Sequence, residues 1–151
     1  LNNSTYATGG NQIDITFGAC TAARVGLGAV APTVLLVEDA PEISELIATI
    51  LEEETSYRLI VASDGEAGLE LARLRSPDVI LLDLSLPRLS GWDLLPRLQA
   101  EGIQAPVIAI TAHAMVGDRE RALGLGCAAY LAKLFEIDDL LALLRRYLPE
   151  A

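Results

Sequence analysis

From residue 33 onward, short unbroken apolar runs alternate with longer stretches in which apolar residues recur every three or four positions. The runs are Thr33 to Val37, Tyr57 to Ala62, Asp78 to Leu82, Pro106 to Ile110 and the shorter Ala128 to Leu131. Between and after them lie five helical patterns. Pro41 to Glu53 carries Ile43, Leu46, Ile47 and Ile50 at helical spacing. Asp64 is placed to cap the next helix, with Leu69, Leu71 and Leu74 among its apolar positions. Gly91 to Gln99 is a short helix that Pro96 should distort, and Met115 to Leu125 is the fourth. Glu136 to Tyr147 closes the series with Ile137, Leu140, Leu141 and Leu144 on one side. Side chains alternate between the two faces of a strand, so a run that is apolar throughout must be covered on both faces, whereas a helix needs one apolar stripe. Five strands alternating with five helices predict an α/β fold: a doubly wound, five-stranded parallel sheet with helices on both faces and right-handed crossovers.

Residues 1–32 break this pattern. They are rich in Gly, Asn, Thr and Ala, and Asp14 and Arg24 are their only charges. Ile13, Ile15 and Phe17 alternate with polar or small partners, a weak hint of a strand. Ala22 to Ala31 ends in Ala-Val-Ala, as a signal-cleavage site does. However, Arg24 interrupts the apolar run and no basic segment precedes it, so a signal peptide is not expected. The reading is an N-terminal appendage over 1–32, either a tail or a segment docked on a neighbouring surface, and one domain over 33–151. A chain of 151 residues, 52% of them hydrophobic, suits a single core.

Composition narrows the function. A formal net charge of −10 argues against nucleic-acid binding, which needs a basic face. No stretch is long and apolar enough to suggest a membrane span. Cys20 and Cys127 match neither a metal motif nor a disulfide framework, and a reducing, cytoplasmic setting is the default expectation. The basic residues are ten arginines and a single lysine, Lys133.

That lysine joins a set of polar residues that share one kind of position. Glu38 and Asp39 follow the first strand, Asp83 the third, Thr111 the fourth and Lys133 the fifth. All lie at the carboxyl edge, where open α/β sheets place their ligands. In the order 2-1-3-4-5 the first and third strands are neighbours at the switch point. Asp39 and Asp83 would then stand side by side, with Thr111 and Lys133 flanking them. Any one of these alone is as readily a cap or turn residue; it is their convergence that points to a site. Crowded carboxylates invite a divalent cation or raised pKa values. Oxygen donors without His or thiolate favour Mg2+, with Mn2+ or Ca2+ as alternatives, over zinc. A hydroxyl and an ammonium facing the metal leave room for a phosphoryl group, with Asp83 as the nucleophile that forms an aspartyl phosphate.

These residues resemble those of the response-regulator receiver family, chemotaxis-type single domains among them, over about Pro32 to Glu150. The motifs are Val-Glu-Asp at Val37 to Asp39, Leu-Leu-Asp-Leu-Ser-Leu-Pro at Leu81 to Pro87, Ser-Gly-Trp-Asp-Leu-Leu at Ser90 to Leu95, Ile-Thr-Ala-His at Ile110 to His113 and Ala-Tyr-Leu-Ala-Lys at Ala129 to Lys133. The resemblance implies a flavodoxin-like fold and also carries part of the strand order. It implies that Asp83 is the phosphoacceptor, fed by a histidine kinase or a histidine phosphotransfer protein. Asp39 would be a direct Mg2+ ligand, Glu38 would act through water, and the Ser85 carbonyl would complete the protein ligands. Thr111 and Tyr130 look like the family's switch pair, and Ser85 and His113 match positions that tune dephosphorylation.

The family usually follows its lysine with a cis-linked proline; here Leu134 takes that place, before Phe135 and Glu136. A cis bond before leucine costs about 2.5–4 kcal/mol, so a trans Lys133–Leu134 peptide or a reshaped loop is expected. The implied function is a phosphorelay signalling domain rather than an enzyme. Its readout surface would be the fourth helix, fifth strand and fifth helix, with Arg119, Arg121, Arg145 and Arg146 on this side. With no output domain expected after the last helix, it would act through a partner, a homodimer or onward phosphotransfer. The rivals are a degenerate receiver that only docks or dimerises, and an aspartate-nucleophile phosphohydrolase. The latter usually carries a second Asp where this chain has Ser85.

Overall fold

The computed structural model describes residues 6–7, 14–15, 31–112, 114–133 and 135–148. Seven strands are found among the described residues: β1 (Tyr6–Ala7), β2 (Asp14–Ile15), β3 (Thr33–Val37), β4 (Arg58–Ala62), β5 (Val79–Asp83), β6 (Val107–Thr111) and β7 (Ala129–Ala132). Five helices are described: α1 (Pro41–Glu54), α2 (Gly65–Arg75), α3 (Gly91–Ala100), α4 (Asp118–Gly124) and α5 (Ile137–Tyr147). The sheet runs β4-β3-β5-β6-β7 in parallel, which is the expected order 2-1-3-4-5 of a flavodoxin-like sheet. The sheet is wider than five strands. β1 pairs in parallel and β2 antiparallel with β4, both on its outer edge. The alternation around Ile15 foreshadowed β2; no comparable signal preceded β1.

The unbroken strand runs divide by parity into two cores. Leu35, Val37, Ile60, Ala62, Ile80, Leu82 and Ala109 face α2 and α3 through Leu69, Leu94 and Leu98. Val34, Leu36, Leu59, Val61, Leu81, Ile108 and Ile110 face α1 and α5 through Ile47, Leu51, Leu140 and Leu144. Asp64 caps α2 as expected, its side chain accepting from the Ala67 amide at 2.8 Å.

Local departures have local causes. Leu46, Leu74 and Ile137 belong to the expected apolar stripes but stand exposed; each lies at the margin of its stripe, rotated off the sheet. Helix α4 begins at Asp118 rather than Met115. Asp118 accepts from the Met115 amide at 2.9 Å, and Gly117 takes a left-handed φ of 91°, so residues 115–117 form a turn outside the helix. Pro96 sits within α3 without ending it; its cost is the one ladder bond that a proline cannot donate. No described helix is long and apolar enough to cross a membrane.

Candidate functional site

Strand register assembles the site. Val37 is level with Leu82, so the next residues, Glu38 and Asp83, emerge together, with Asp39 following. Asp83 is level with Ile110 and Thr111 with Ala132. The Lys133 amide then donates to the Thr111 carbonyl at 2.8 Å. Asp83 and Thr111 prove to be the last residues of their strands rather than the first beyond them. That fixes their backbones in the sheet ladder and leaves only side-chain freedom.

One carboxylate oxygen each from Glu38, Asp39 and Asp83 lies within 4.8 Å of the other two. Glu38 and Asp83 are buried and Asp39 is exposed. Lys133 stands across from them, its Nζ 2.6 Å from Glu38 Oε1 and 3.3 Å from Asp83 Oδ2. Asp83 Oδ1 accepts from the Ser85 amide at 2.9 Å, so the carboxylate is held at both oxygens. Glu38 Oε2 accepts from the Ala40 amide at 3.2 Å. Thr111 is buried, and its Oγ1 lies 3.3 Å from the Ser85 hydroxyl.

The electrostatics follow from burial. Taking the Glu38 carboxyl out of water pushes its pKa up to about 7; the Lys133 hydrogen bond pulls the other way, and neighbouring Asp83 adds to the rise. Burial tends to discharge Lys133, but Glu38 and Asp83 outweigh it and hold the ammonium above its ordinary pKa. A buried pair of carboxylates sharing one lysine is still short of positive charge. Hard oxygen donors with that deficit suit Mg2+ or Mn2+, so the donor set fits such an ion. A cleft lined by Glu38, Asp39, Pro41, Ser44, Glu45, Val61 and Ser63 lies beside the cluster.

Tyr130 lies apart from the carboxylates, on β7 level with Ala109, and packs on the α2/α3 core. Its hydroxyl is closed off from solvent and has no hydrogen-bond partner. Burial raises its pKa, with Asp118 and Glu120 adding to the effect. His113 and Leu134 lie outside the described residues, so the dephosphorylation role of one and the trans peptide at the other stay expectations. Two of the four arginines expected on the readout side make a recorded contact. Arg121 stacks on Trp92, and Arg145 donates to the Glu54 carbonyl.

Sequence reasoning overlooked two supports of the Asp83 loop. Arg88 takes a left-handed φ of 61°. Gly91 rests on Asp83 itself: a Cβ there would lie 2.5 Å from the Asp83 carbonyl oxygen and 2.6 Å from Leu84 Cα. The Ser-Gly pair at the start of α3, a cap followed by the smallest residue, was the available signal.

The family profile described as response regulator receiver domain matches residues 34–145. Transcriptional regulatory protein DltR of Streptococcus agalactiae is 39% identical over 111 residues, 74% of this chain and 49% of that protein. The chain thus spans about half the length of the curated relatives it matches first. Among solved structures, the receiver domain of sensor histidine kinase PA1611 from Pseudomonas aeruginosa PAO1, with magnesium ion coordinated in the active site cleft, is 36% identical at a TM-score of 0.70. That match covers 78% of this chain and 98% of the other. The signal receiver domain of putative Luxo repressor protein from Vibrio parahaemolyticus is 29% identical at a TM-score of 0.74, covering 78% and 90%.

Proposed function

The chain belongs to the response regulator receiver family, and on that footing we propose that it is a phosphorylation switch whose acceptor is Asp83. The observation that carries the reading is the setting of that carboxylate. It is buried at a strand end, fixed by the Ser85 amide and Lys133, and grouped with Glu38 and Asp39. In the reaction an Asp83 oxygen attacks phosphorus, the P–N bond of a donor phosphohistidine breaks, and the imidazole leaves with the electron pair. The donor is a histidine kinase or a histidine phosphotransfer protein.

Glu38, Asp39, Asp83 and the Ser85 carbonyl would hold Mg2+, or Mn2+ in its place, with Glu38 acting through water. The magnesium reported in the PA1611 receiver supports this assignment. When bound, the ion would supply positive charge that offsets repulsion between the carboxylates and an incoming phosphoryl group. Lys133 and Thr111 hold the remaining oxygens, and Ser85 and His113 set how readily water removes the group. The new contacts at Thr111 favour a second conformation in which Tyr130 takes part, and α4, β7 and α5 present the changed surface to a partner or a second copy. Residues 33–151 form the receiver, with 1–32 as an appendage, and the domain works in the cytoplasm as a signalling module rather than a turnover enzyme.

Incubation of the full chain with acetyl phosphate and Mg2+, followed by intact mass, tests the reading. One added phosphoryl group in the parent, absent from Asp83→Asn, is expected. No addition under conditions where a control receiver reacts would leave a docking module.

A further inference from the structure

Helix α4 is weakly seated: of its residues only Ala122 is buried, and Leu123 stands exposed. Two contacts tie its segment to α3. At the first turn of α3 the Arg121 guanidinium lies over the Trp92 ring, 4.1 Å from the ring centre. At the last turn Gln99 Nε2 donates to the Leu125 carbonyl at 2.7 Å. The start of α3 is itself seated on the phosphoacceptor backbone. Gly91 leaves no room for a Cβ above the Asp83 carbonyl, and its amide donates to the Leu84 carbonyl at 3.2 Å. Direct contacts therefore run from Asp83 through Gly91 and Trp92 to Arg121 and α4.

We propose that the Trp92–Arg121 stack is a joint through which the Asp83 loop positions α4, and that these two side chains are positioning residues for that helix. The inference rests on the phosphoacceptor reading above and adds a route that does not use Thr111 or Tyr130. A cation over an indole face is held by the ring quadrupole. The indole belongs to the first turn of α3, so a shift in the Asp83 loop moves the platform on which Arg121 rests. A helix with little buried apolar surface depends on its few fixed contacts for its position. Proximity alone does not make a coupling; a coupling must act in both directions, from site to helix and from helix to site.

The test is hydrogen exchange of the full chain with and without beryllofluoride and Mg2+, read on peptides covering residues 117–125. The parent, Trp92→Leu, Arg121→Met, Arg121→Lys and the Trp92→Leu/Arg121→Met double variant are compared. Phosphorylation of each by acetyl phosphate is followed in parallel by intact mass. Beryllofluoride is expected to change exchange at α4 in the parent. Trp92→Leu and Arg121→Met should each remove more than half of that change, the double variant should remove no more, and Arg121→Lys should retain most of it. By reciprocity, Arg121→Met should also shift the beryllofluoride concentration needed for half-saturation. If the variants take up phosphoryl and α4 responds in them as in the parent, the joint is refuted while the phosphoacceptor reading stands. If the parent takes up no phosphoryl group, both are refuted.

Discussion

Replacing Glu38 with glutamine should flatten the pH dependence of stability near neutrality. The Glu38 carboxyl rises from an ordinary pKa of 4.5 to about 7 in the folded protein, chiefly because it is buried. A carboxyl raised on folding stabilises most below its unfolded pKa, where both states are protonated, and that advantage is lost as pH climbs through the folded value. With those two pKa values, linkage gives a loss of about 2 kcal/mol between about pH 5.5 and 8, opposite in sign to the usual effect of a salt-bridged aspartate. The side chain has no exposed surface, so solvent screening does not reduce this figure. The glutamine keeps the shape and does not titrate, but its single oxygen can accept from Lys133 or from the Ala40 amide and not from both. Lys133, held above its ordinary pKa, stays charged throughout the window. Histidine titrates in this range, but His113 is present in both proteins and cancels in the comparison. Urea unfolding with EDTA at the two pH values is the assay. The parent should lose about 2 kcal/mol more than Glu38→Gln between them. Equal slopes in the two proteins would refute the reasoning, because Glu38 would then titrate no differently on folding.

Other consequences can be measured on the same samples. Mg2+ at one hundred times its Kd should stabilise the parent by about 2.7 kcal/mol, an effect that Asp39→Asn should largely abolish; a parent midpoint indifferent to Mg2+ would contradict the metal assignment. Gly91→Ala forces a Cβ against the Asp83 carbonyl and Leu84 Cα, so a destabilisation of about 1–3 kcal/mol and slower phosphorylation are expected by urea unfolding and timed mass spectra. Arg88 already bears a left-handed φ, which a β-branched residue tolerates poorly. Arg88→Val should cost about 1–2 kcal/mol, with Arg88→Gly much closer to the parent in the same unfolding assay.

Much of the fold could be read because four of the five core strands are buried on both faces, which leaves runs such as Val79 to Leu82 no other role than a central parallel strand. The edge was harder. β1 spans two residues, Tyr6 and Ala7, too few to show a period, and it is recruited by the free edge of β4 rather than by its own pattern. Met115 and Val116 look like the start of a helix by composition, yet both stand in solvent; the left-handed Gly117 and the turn in which Asp118 accepts from the Met115 amide set that boundary. The site was legible where topology alone determines position: once β3 and β5 are neighbours, Glu38, Asp39 and Asp83 must meet. What remained hidden depends on how side chains orient. Lys133 lies nearer Glu38 than Asp83, and the Arg121 guanidinium lies over the Trp92 ring.

The central claim is that the Asp83 carboxylate accepts phosphorus, and reductive trapping tests it most directly. Treating the acetyl phosphate-reacted, Mg2+-loaded chain with borohydride converts an acyl phosphate to an alcohol that survives digestion. Peptide mapping should find homoserine at position 83 and at no other acidic residue, with none formed when Mg2+ is chelated. Homoserine at Asp39, 5-hydroxynorvaline at Glu38, or phosphoryl uptake that yields no reduced residue at all, would contradict the account.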